Sequence, residues 1–555
     1  MSQNQTPRTG GQILVDQLVI QGVERISCVP GESYLAALDA MVDVDIDVLI
    51  CRHEGGAAMM AEAYGKLTGK PGICFVTRGP GATNAAHGVH IAAHDSTPMI
   101  LFIGQAQRGT LGRECFQEVD YKLFFGDMAK WVIEIDCAER IPELIARAFR
   151  MATQGRRGPV VVSLPEDMLT EMVLCVDAPK IVPIVTAPCE NDLLVLKTLL
   201  LDAQSPLVIL GGSGWDEAGY EAMHDFASRF NLPVATSFRR THLFNAYHPS
   251  FAGDLGFGIN PALAKRVKEA DLILMIGARL SEVPSSSYTL MDIPKPKQTL
   301  IHIYPDPAEI GRVYQPDLGM VASPNAMARA LKNLAPPSKI AWGEQTKKAH
   351  QDYLDWTETP KSNPGDFQYG EVIVWLRDRM PPDTIVCNGA GNYAIWVHRY
   401  WRHQRLGTQL APTSGSVGYS VPVGVMAKRE FPDKPVVVFS GDGCFLMQGQ
   451  EFAVAVQYGI HVIIVIIDNG MYGTIRMHQE RNYPNRVIGT DLKNPDFAAL
   501  SRAYGGHGET VRKTSEFAPA FERALACGKP AIIHCFLDPQ AITPSKTMDE
   551  ITRGE

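Results

Sequence analysis

Short apolar runs recur along the chain, bounded by Gly, Pro, Asp or Asn and separated by stretches with helical apolar spacing. Runs without alternation read as strands buried on both faces, as in a parallel sheet covered by helices. The pattern predicts strands at 46–51, 72–77, 99–104 and 160–164 in a first block. A second block has them at 206–210, 272–276 and 299–304, and a third at 384–387, 434–440 and 461–468. Strand and helix alternating in every block predict an α/β protein of three doubly wound parallel-sheet domains. The expected domains are 11–180, 190–335 and 366–540, after a disordered 1–10. Residues 176–191, rich in Pro and Val without helical period, read as a linker. Residues 335–365 read as a longer surface connection with a short helical segment, and 541–555 as a tail that is mobile or closes over a site.

The third block carries the candidate chemistry. Gly441-Asp442-Gly443 follows the strand at 434–440, and Asp468-Asn469-Gly470 closes the strand at 461–468. Between them, 445–458 has the length and spacing of one crossover helix, which makes the strands parallel and brings their carboxyl ends to one edge. Asp442 and Asn469, 27 positions apart, then meet at that edge. A carboxylate and an amide carbonyl are a hard-oxygen pair suited to Mg²⁺, which takes its other ligands from water and a bound phosphate. The expectation is a metal-bridged diphosphate. The plain alternative is a glycine turn between strands.

Composition narrows the classes. At 555 residues the chain is too long for one core, and 45% hydrophobic with 20% charged residues is ordinary for a globular protein. A net charge of −8 with no basic run argues against nucleic acid as a partner. Apolar runs such as 462–467 fall far short of a membrane span. The polar start MSQNQTPRTG has no apolar signal core, so a cytoplasmic protein is expected. Eleven cysteines stand singly without a Cys-x-x-Cys, and Cys51, Cys74, Cys387 and Cys535 fall within strands as reduced core thiols. Cys444, beside the Gly-Asp-Gly turn, reads as a packed thiol, with a reactive one as the alternative.

GDG, some two dozen residues and then N resembles the signature of thiamine-diphosphate-dependent enzymes, and the following NGMYGTIRMHQE is similar to the acetolactate synthase branch. The resemblance runs from Gly11 to Pro539. It implies a pyrimidine-binding domain, a central domain and a diphosphate-binding domain, with active sites between subunits of a homodimer or homotetramer. It implies thiamine diphosphate and Mg²⁺ as cofactors. It also implies a small 2-oxo acid donor, pyruvate first, decarboxylated and ligated to an acceptor carbonyl. A non-ligating 2-oxo acid decarboxylase or a 2-hydroxyacyl lyase is the runner-up, and a non-catalytic nucleotide-binding paralogue ranks behind both.

Residue by residue, Arg52-His53-Glu54 with the following GGAAMMAEAYG matches the segment whose glutamate contacts the pyrimidine N1′ and manages its proton. The ordinary reading of Glu54 is an acid opposing the dipole at a helix start. Gly441 and Gly443 fall at the cofactor, and Gly391 and Asn392 match diphosphate contacts at a helix N-terminus. In Thr413–Tyr419 the matching residues are Gly415, whose carbonyl takes the 4′-amino group, and Val417, which wedges between the rings. Met471 matches a backbone ligand of the metal, beside Asp442 and Asn469.

The substrate end departs from the synthases. Phe116-Gln117-Glu118 matches the segment whose first two residues face the active site. Glu32, in Val29-Pro-Gly-Glu-Ser-Tyr34, instead resembles an acid of pyruvate-type decarboxylases. In an enclosed site near Glu54 it is expected to have a raised pKa and serve as a general acid; a solvated helix-start acid is the equal alternative. Glu166 stands where the synthases have a lysine, and His478 where many have a tryptophan. Arg156, Gly212 and Arg279 match a central-domain FAD site, while the family's LGMHG segment reads Leu255-Gly-Phe-Gly-Ile259. FAD binding and ordinary strand-end glycines are both open readings. Arg239-Arg240 read as exposed arginines, with an anion contact as the alternative.

Overall fold

The computed structural model describes residues 6–554 and contains three six-stranded sheets, all of whose pairings are parallel. In the first sheet the spatial order is Asp47–Ile50, Arg25–Cys28, Gly72–Val76, Met99–Gln105, Pro159–Pro165, Trp131–Glu134. In the third it is Gln409–Leu410, Ile385–Asn388, Val436–Gly441, Ile463–Asp468, Ala531–Phe536, His507–Val511. Numbered along each sheet, both read 2-1-3-4-6-5. The similarity of plan seen between the two blocks is therefore a shared topology. The middle sheet differs, reading 3-2-1-4-5-6: Phe251–Asp254, Val234–Thr236, Pro206–Leu210, Leu272–Ile276, Thr299–Tyr304, Leu318–Val321.

The central strands are buried from end to end, as in Met99–Gln105 and Ile463–Asp468, because helices cover both faces of each sheet. The fit is close. A Cβ on Gly72 would stand 1.7 Å from the carbonyl oxygen of Ala61 in the covering helix Glu54–Thr68. Gly72→Ala should therefore lower stability by about 1–3 kcal/mol or more, read as a fall in the denaturant midpoint.

Contacts divide the chain into two compact units. The first comprises the chain up to Ile184 together with Val421–Glu430 and Gln448–Ile460; the second comprises Val185–Ser420, Phe431–Met447 and His461 onward. Several expectations change. Arg8 and Thr9, assigned to a disordered start, pair with Val173 and Met172, and the helix Gly10–Gln21 begins at once, its first turn capped by Thr9; residues 1–5 lie outside the described ones. The single helix expected over 445–458 is broken into Asp442–Gln448, a 3₁₀ turn at Gly449–Glu451, and Phe452–Gln457. The break lets Glu451 turn onto the backbone of Arg52 within the first unit. The short helical segment expected in 335–365 is a 16-residue helix, Gly343–Glu358, seated by buried Trp342, Ala349 and Tyr353. In the tail, the helix Met548–Thr552 packs Met548 and Ile551 with Ile542 against Met477, so it closes over the helix Gly473–Asn482.

Candidate active site

In open α/β sheets, ligands bind beyond the carboxyl ends of the strands, where the strand order reverses. In the third sheet this switch point lies between Ile385–Asn388 and Val436–Gly441. The two turns that follow are Gly389–Asn392 and Gly441-Asp442-Gly443. Asp442 is the first residue of its helix and 3% exposed. Its Oδ2 accepts the N–H of Gly470 at 3.0 Å and the Asn494 side-chain amide at 2.8 Å. Asp468 takes the same two donors through Oδ1, at 2.9 and 2.8 Å, and its Oδ2 lies 2.8 Å from Nε2 of His534. The strand ends expected to bring Asp442 and Asn469 together instead show Asp442 and Asp468 clamped by Asn494 and the Gly470 N–H. Burial, with Asp468 beside it, pushes Asp442 up to about 7, although the Gly443 N–H and Asn494 oppose the shift. Asp468 is held below the carboxylate range: burial opposes this, and His534, Asn494 and the Gly470 N–H outweigh it.

This donor set fits a hard divalent cation. The Asp442 carboxylate is buried, the Asn494 Oδ1 beside it is buried without a hydrogen-bond partner, and a cation would relieve the crowding of negative charge. Among the described residues no three His, Cys, Asp or Glu side chains group as a metal cage; Mg²⁺ does not need one, since it keeps most of its shell as water and phosphate. Asn469 and Met471 flank Gly470, and Met471 bridges to Asp491.

Gly391 has φ +136°, and Asn392 opens the helix Tyr393–Tyr400. The Asn392 side chain is occupied: it accepts from Thr474 Oγ1 at 2.9 Å and donates to the Ile542 carbonyl at 3.0 Å. The tail thus latches onto a residue read as a diphosphate contact. Gly415 has φ +69°, and a Cβ there would meet nothing within 4 Å. The turn needs glycine for its backbone conformation, and the space above it is open. Val417 is half-buried against the core of this sheet. Cys444 is a packed thiol: its sulfur accepts from the Gly418 N–H at 3.3 Å and lies 3.4 Å from the Tyr393 hydroxyl, which itself accepts from Gly389 N–H at 2.9 Å. One sulfur ties three of the turns together. His478 is exposed on Gly473–Asn482.

The corresponding switch point of the first sheet lies between Arg25–Cys28 and Gly72–Val76. Ser33 and Thr77 stitch its two turns through hydroxyls 2.9 Å apart. Glu54 begins Glu54–Thr68, and its Oε2 accepts from the Asn84 amide at 2.9 Å. A Cβ on Gly81 would lie 3.4 Å from Glu54 Oε1, so the Gly79–Gly81 turn faces that carboxylate. Gln117 has φ +63° and packs on Gly79, while Phe116 is 71% exposed. The enclosed Glu32 expected near Glu54 is not found. Its side chain is 71% exposed on the 3₁₀ turn Glu32–Tyr34, and its charged neighbour is Arg78, at 3.8 Å. Arg78 is the hub. It donates to the Phe116 carbonyl at 3.2 Å and to Glu166 at 2.9 Å.

In the middle sheet one candidate flavin residue, Gly212, has a structural explanation. The sheet's switch point lies between the turns at Gly211–Gly212 and Gly277–Ala278, which pack on each other: a Cβ on Gly212, φ +72°, would stand 2.1 Å from the Gly277 oxygen. That approach, together with positive φ at Gly212 and Gly277, accounts for glycine here. Arg240 holds the Gly212 carbonyl at 2.9 Å and Arg239 the Pro412 carbonyl, both buried rather than exposed. In the first unit, Arg156 donates to Ala93 O and Ser96 at the end of Pro80–Asp95. Arg279 follows Gly277–Ala278.

Sequence reasoning missed Asn494, His534, Asn84, Arg78 and Glu451. His534 carried a legible signal, being a polar residue in an otherwise apolar stretch, whereas Glu451 follows Gln448-Gly-Gln450 and does not stand out. Asn494 sits in a loop without a motif.

Comparison with known proteins agrees with this geometry. Residues 8–124 match the thiamine pyrophosphate enzyme N-terminal TPP binding domain, 195–331 the central domain, and 389–535 the C-terminal TPP binding domain. The acetolactate synthase isozyme 2 large subunit of Escherichia coli (strain K12) is 30% identical over 533 residues, 95% of each chain. The acetolactate synthase large subunit of Corynebacterium glutamicum is 30% identical over 550 residues, 95% of this chain and 86% of that one. The acetolactate synthase of Bacillus subtilis (strain 168) is 27% identical over 541 residues, 95% and 93%. Two glycine-rich turns at the switch point, a clamped carboxylate pair and these matches converge: the chain belongs to the thiamine pyrophosphate enzyme family, as an acetolactate synthase-like member.

Proposed function

We propose that this enzyme decarboxylates a short 2-oxo acid, pyruvate first, and joins the remaining acyl unit to an acceptor carbonyl, using thiamine diphosphate and Mg²⁺. The observation that carries the reading is the Asp442–Gly470–Asn494 clamp at the switch point of the third sheet. Asp442, Asn469 and the Met471 carbonyl would hold the metal. Gly391, Asn392, Gly441 and Gly443 would bind the cofactor's diphosphate end, and Gly415 and Val417 its rings. When bound, the thiazolium supplies the nucleophilic carbon and the electron sink. Glu54, oriented by Asn84, holds and returns a proton at the pyrimidine N1′. Phe116, Gln117 and His478 face the substrate. The protein is proposed to be cytoplasmic and to act as a homodimer or homotetramer; no described helix is long and apolar enough to cross a membrane.

The test is product NMR after incubation with pyruvate, thiamine diphosphate and Mg²⁺, with and without added aldehydes. Carbon dioxide and a ligated 2-hydroxy product are expected; no consumption of any 2-oxo acid would refute the reading. A flavin is not required by it, and purified protein without flavin visible bands would exclude tightly bound FAD.

One observation favours the non-ligating alternative. Glu32 lies beside Arg78, which also holds Glu166 and the Phe116 carbonyl, so this exposed carboxylate and the Phe116 loop share one anchor. If Glu32 protonates the reacting intermediate, Glu32→Gln raises ligated product relative to free aldehyde. An unchanged ratio makes Glu32 a solvated surface acid.

A further inference from the structure

Gln448–Ile460 comes some 400 residues after the strand Asp47–Ile50, yet it packs under the turn that follows that strand, inside the first unit. Glu451 lies near its start with 0% exposure. Both carboxylate oxygens stand 3.2 Å from the N–H of Arg52, and the His53 N–H donates to the same group. A Cβ on Gly56 would come within 2.6 Å of Glu451, so that glycine makes room for it. The neighbours extend the brace. The Tyr458 hydroxyl accepts from Ile50 N–H at 3.0 Å, the Gln448 amide lies 3.4 Å from His53 Nδ1, and Arg52 donates to Gln457.

A carboxylate only accepts hydrogen bonds, and here it meets two successive main-chain N–H groups that lead directly into Glu54. Burying a charge is costly, and filling a gap would need only an apolar side chain. We infer that Glu451 is a positioning residue for Glu54: it fixes the Arg52-His53-Glu54 turn, and its charge helps set the surroundings in which Glu54 exchanges its proton. The inference rests on the reading of Glu54 as the proton-handling acid.

The groups facing Glu451 are Arg52, His53, Glu54 and the Cys51 thiol. Burial pushes Glu451 up to about 7; the N–H groups of Arg52 and His53 and the Arg52 charge oppose this, and Glu54 adds to it. Burial raises the Cys51 thiol, so it stays neutral. Both charge states of Glu451 are therefore accessible near neutrality.

The test uses the full-length holoenzyme with Glu451→Gln, reading kcat against pH from mildly acidic to mildly alkaline, the Kd for thiamine diphosphate, and thermal melting. The expected variant binds cofactor as the wild type does, loses about 10- to 100-fold in kcat, and loses a limb of the pH profile near neutrality. A wild-type kcat and pH profile, with only the melting point moved, overturns the proposal. Should Glu451→Gln fail to fold, Glu451→Asp keeps an acceptor one methylene shorter; it must lower kcat with an unchanged cofactor Kd, and an unchanged kcat overturns the proposal. Glu54→Gln run in parallel separates the premise from the inference. If Glu54→Gln stays active the premise is gone; if it is inactive while Glu451→Gln is wild-type-like, the inference alone fails.

Discussion

Glu54→Gln should fold normally, bind cofactor and lose most of its turnover, about 10²–10⁴-fold. The substitution keeps the side chain's size, and Gln can still accept the hydrogen bond that Asn84 donates to Glu54 Oε2. The structural cost is confined to a lost charge at the first turn of Glu54–Thr68, about 0.3–1 kcal/mol. What the amide cannot do is hold and release a proton at the pyrimidine. Steady-state turnover beside a melting curve decides it. A turnover within a few-fold of wild type would leave Glu54 as nothing more than a helix-start acid.

Asp442→Asn should have opposite effects on the loaded and the empty protein. With Mg²⁺ and thiamine diphosphate, the wild type gains stability by mass action, and the variant should lose nearly all of that gain because the buried ligand oxygen has lost its charge. Without them, the variant should be the more stable at neutral and higher pH. Burial raises Asp442 from the ordinary carboxylate value to about 7 in the folded state, so the folded protein binds this proton more tightly than the unfolded chain. That contribution is complete below the ordinary carboxylate range and is lost as pH rises towards 7. Asparagine does not titrate, so the difference grows over that window to roughly 2–4 kcal/mol at most. Asp468 shifts the other way under its His534 contact, which limits the net effect. Melting of both proteins across pH, with and without metal and cofactor, tests both halves. Equal stabilisation by metal and cofactor in the variant would remove Asp442 from the site.

The fold was most legible where a strand carries its own apolar run. Pro206–Leu210, Leu272–Ile276 and Thr299–Tyr304 coincide with the predicted strands at both ends. Trp131–Glu134 and His507–Val511 escaped notice because they are outer strands, half-buried or polar, whose pairing partners supply the stability. Within the site, the turn at Asp442 and the turn at Asp468–Gly470 could be brought together from sequence because matched strand ends imply a shared edge. Asn494, which joins the two carboxylates, could not: nothing local marks a loop residue whose partners are fixed by tertiary packing. Glu32 illustrates the converse. Its place in the motif suggested enclosure, but the 3₁₀ turn points it outward beside Arg78.

The discontinuous make-up of the first unit also governs the order in which the protein can mature during synthesis. Its sheet is finished when the ribosome has passed Pro165, but Gln448–Ile460 has not yet been made. Until it emerges, the niche at Gly56 is vacant and the N–H groups of Arg52 and His53 lack their buried acceptor. Such a nascent state exposes apolar surface while the middle sheet is translated and folded, a period in which misassembly is favoured. A fragment ending at the first linker would be held in that state permanently, so cutting the gene between its apparent domains should yield an aggregation-prone piece and not a self-sufficient one.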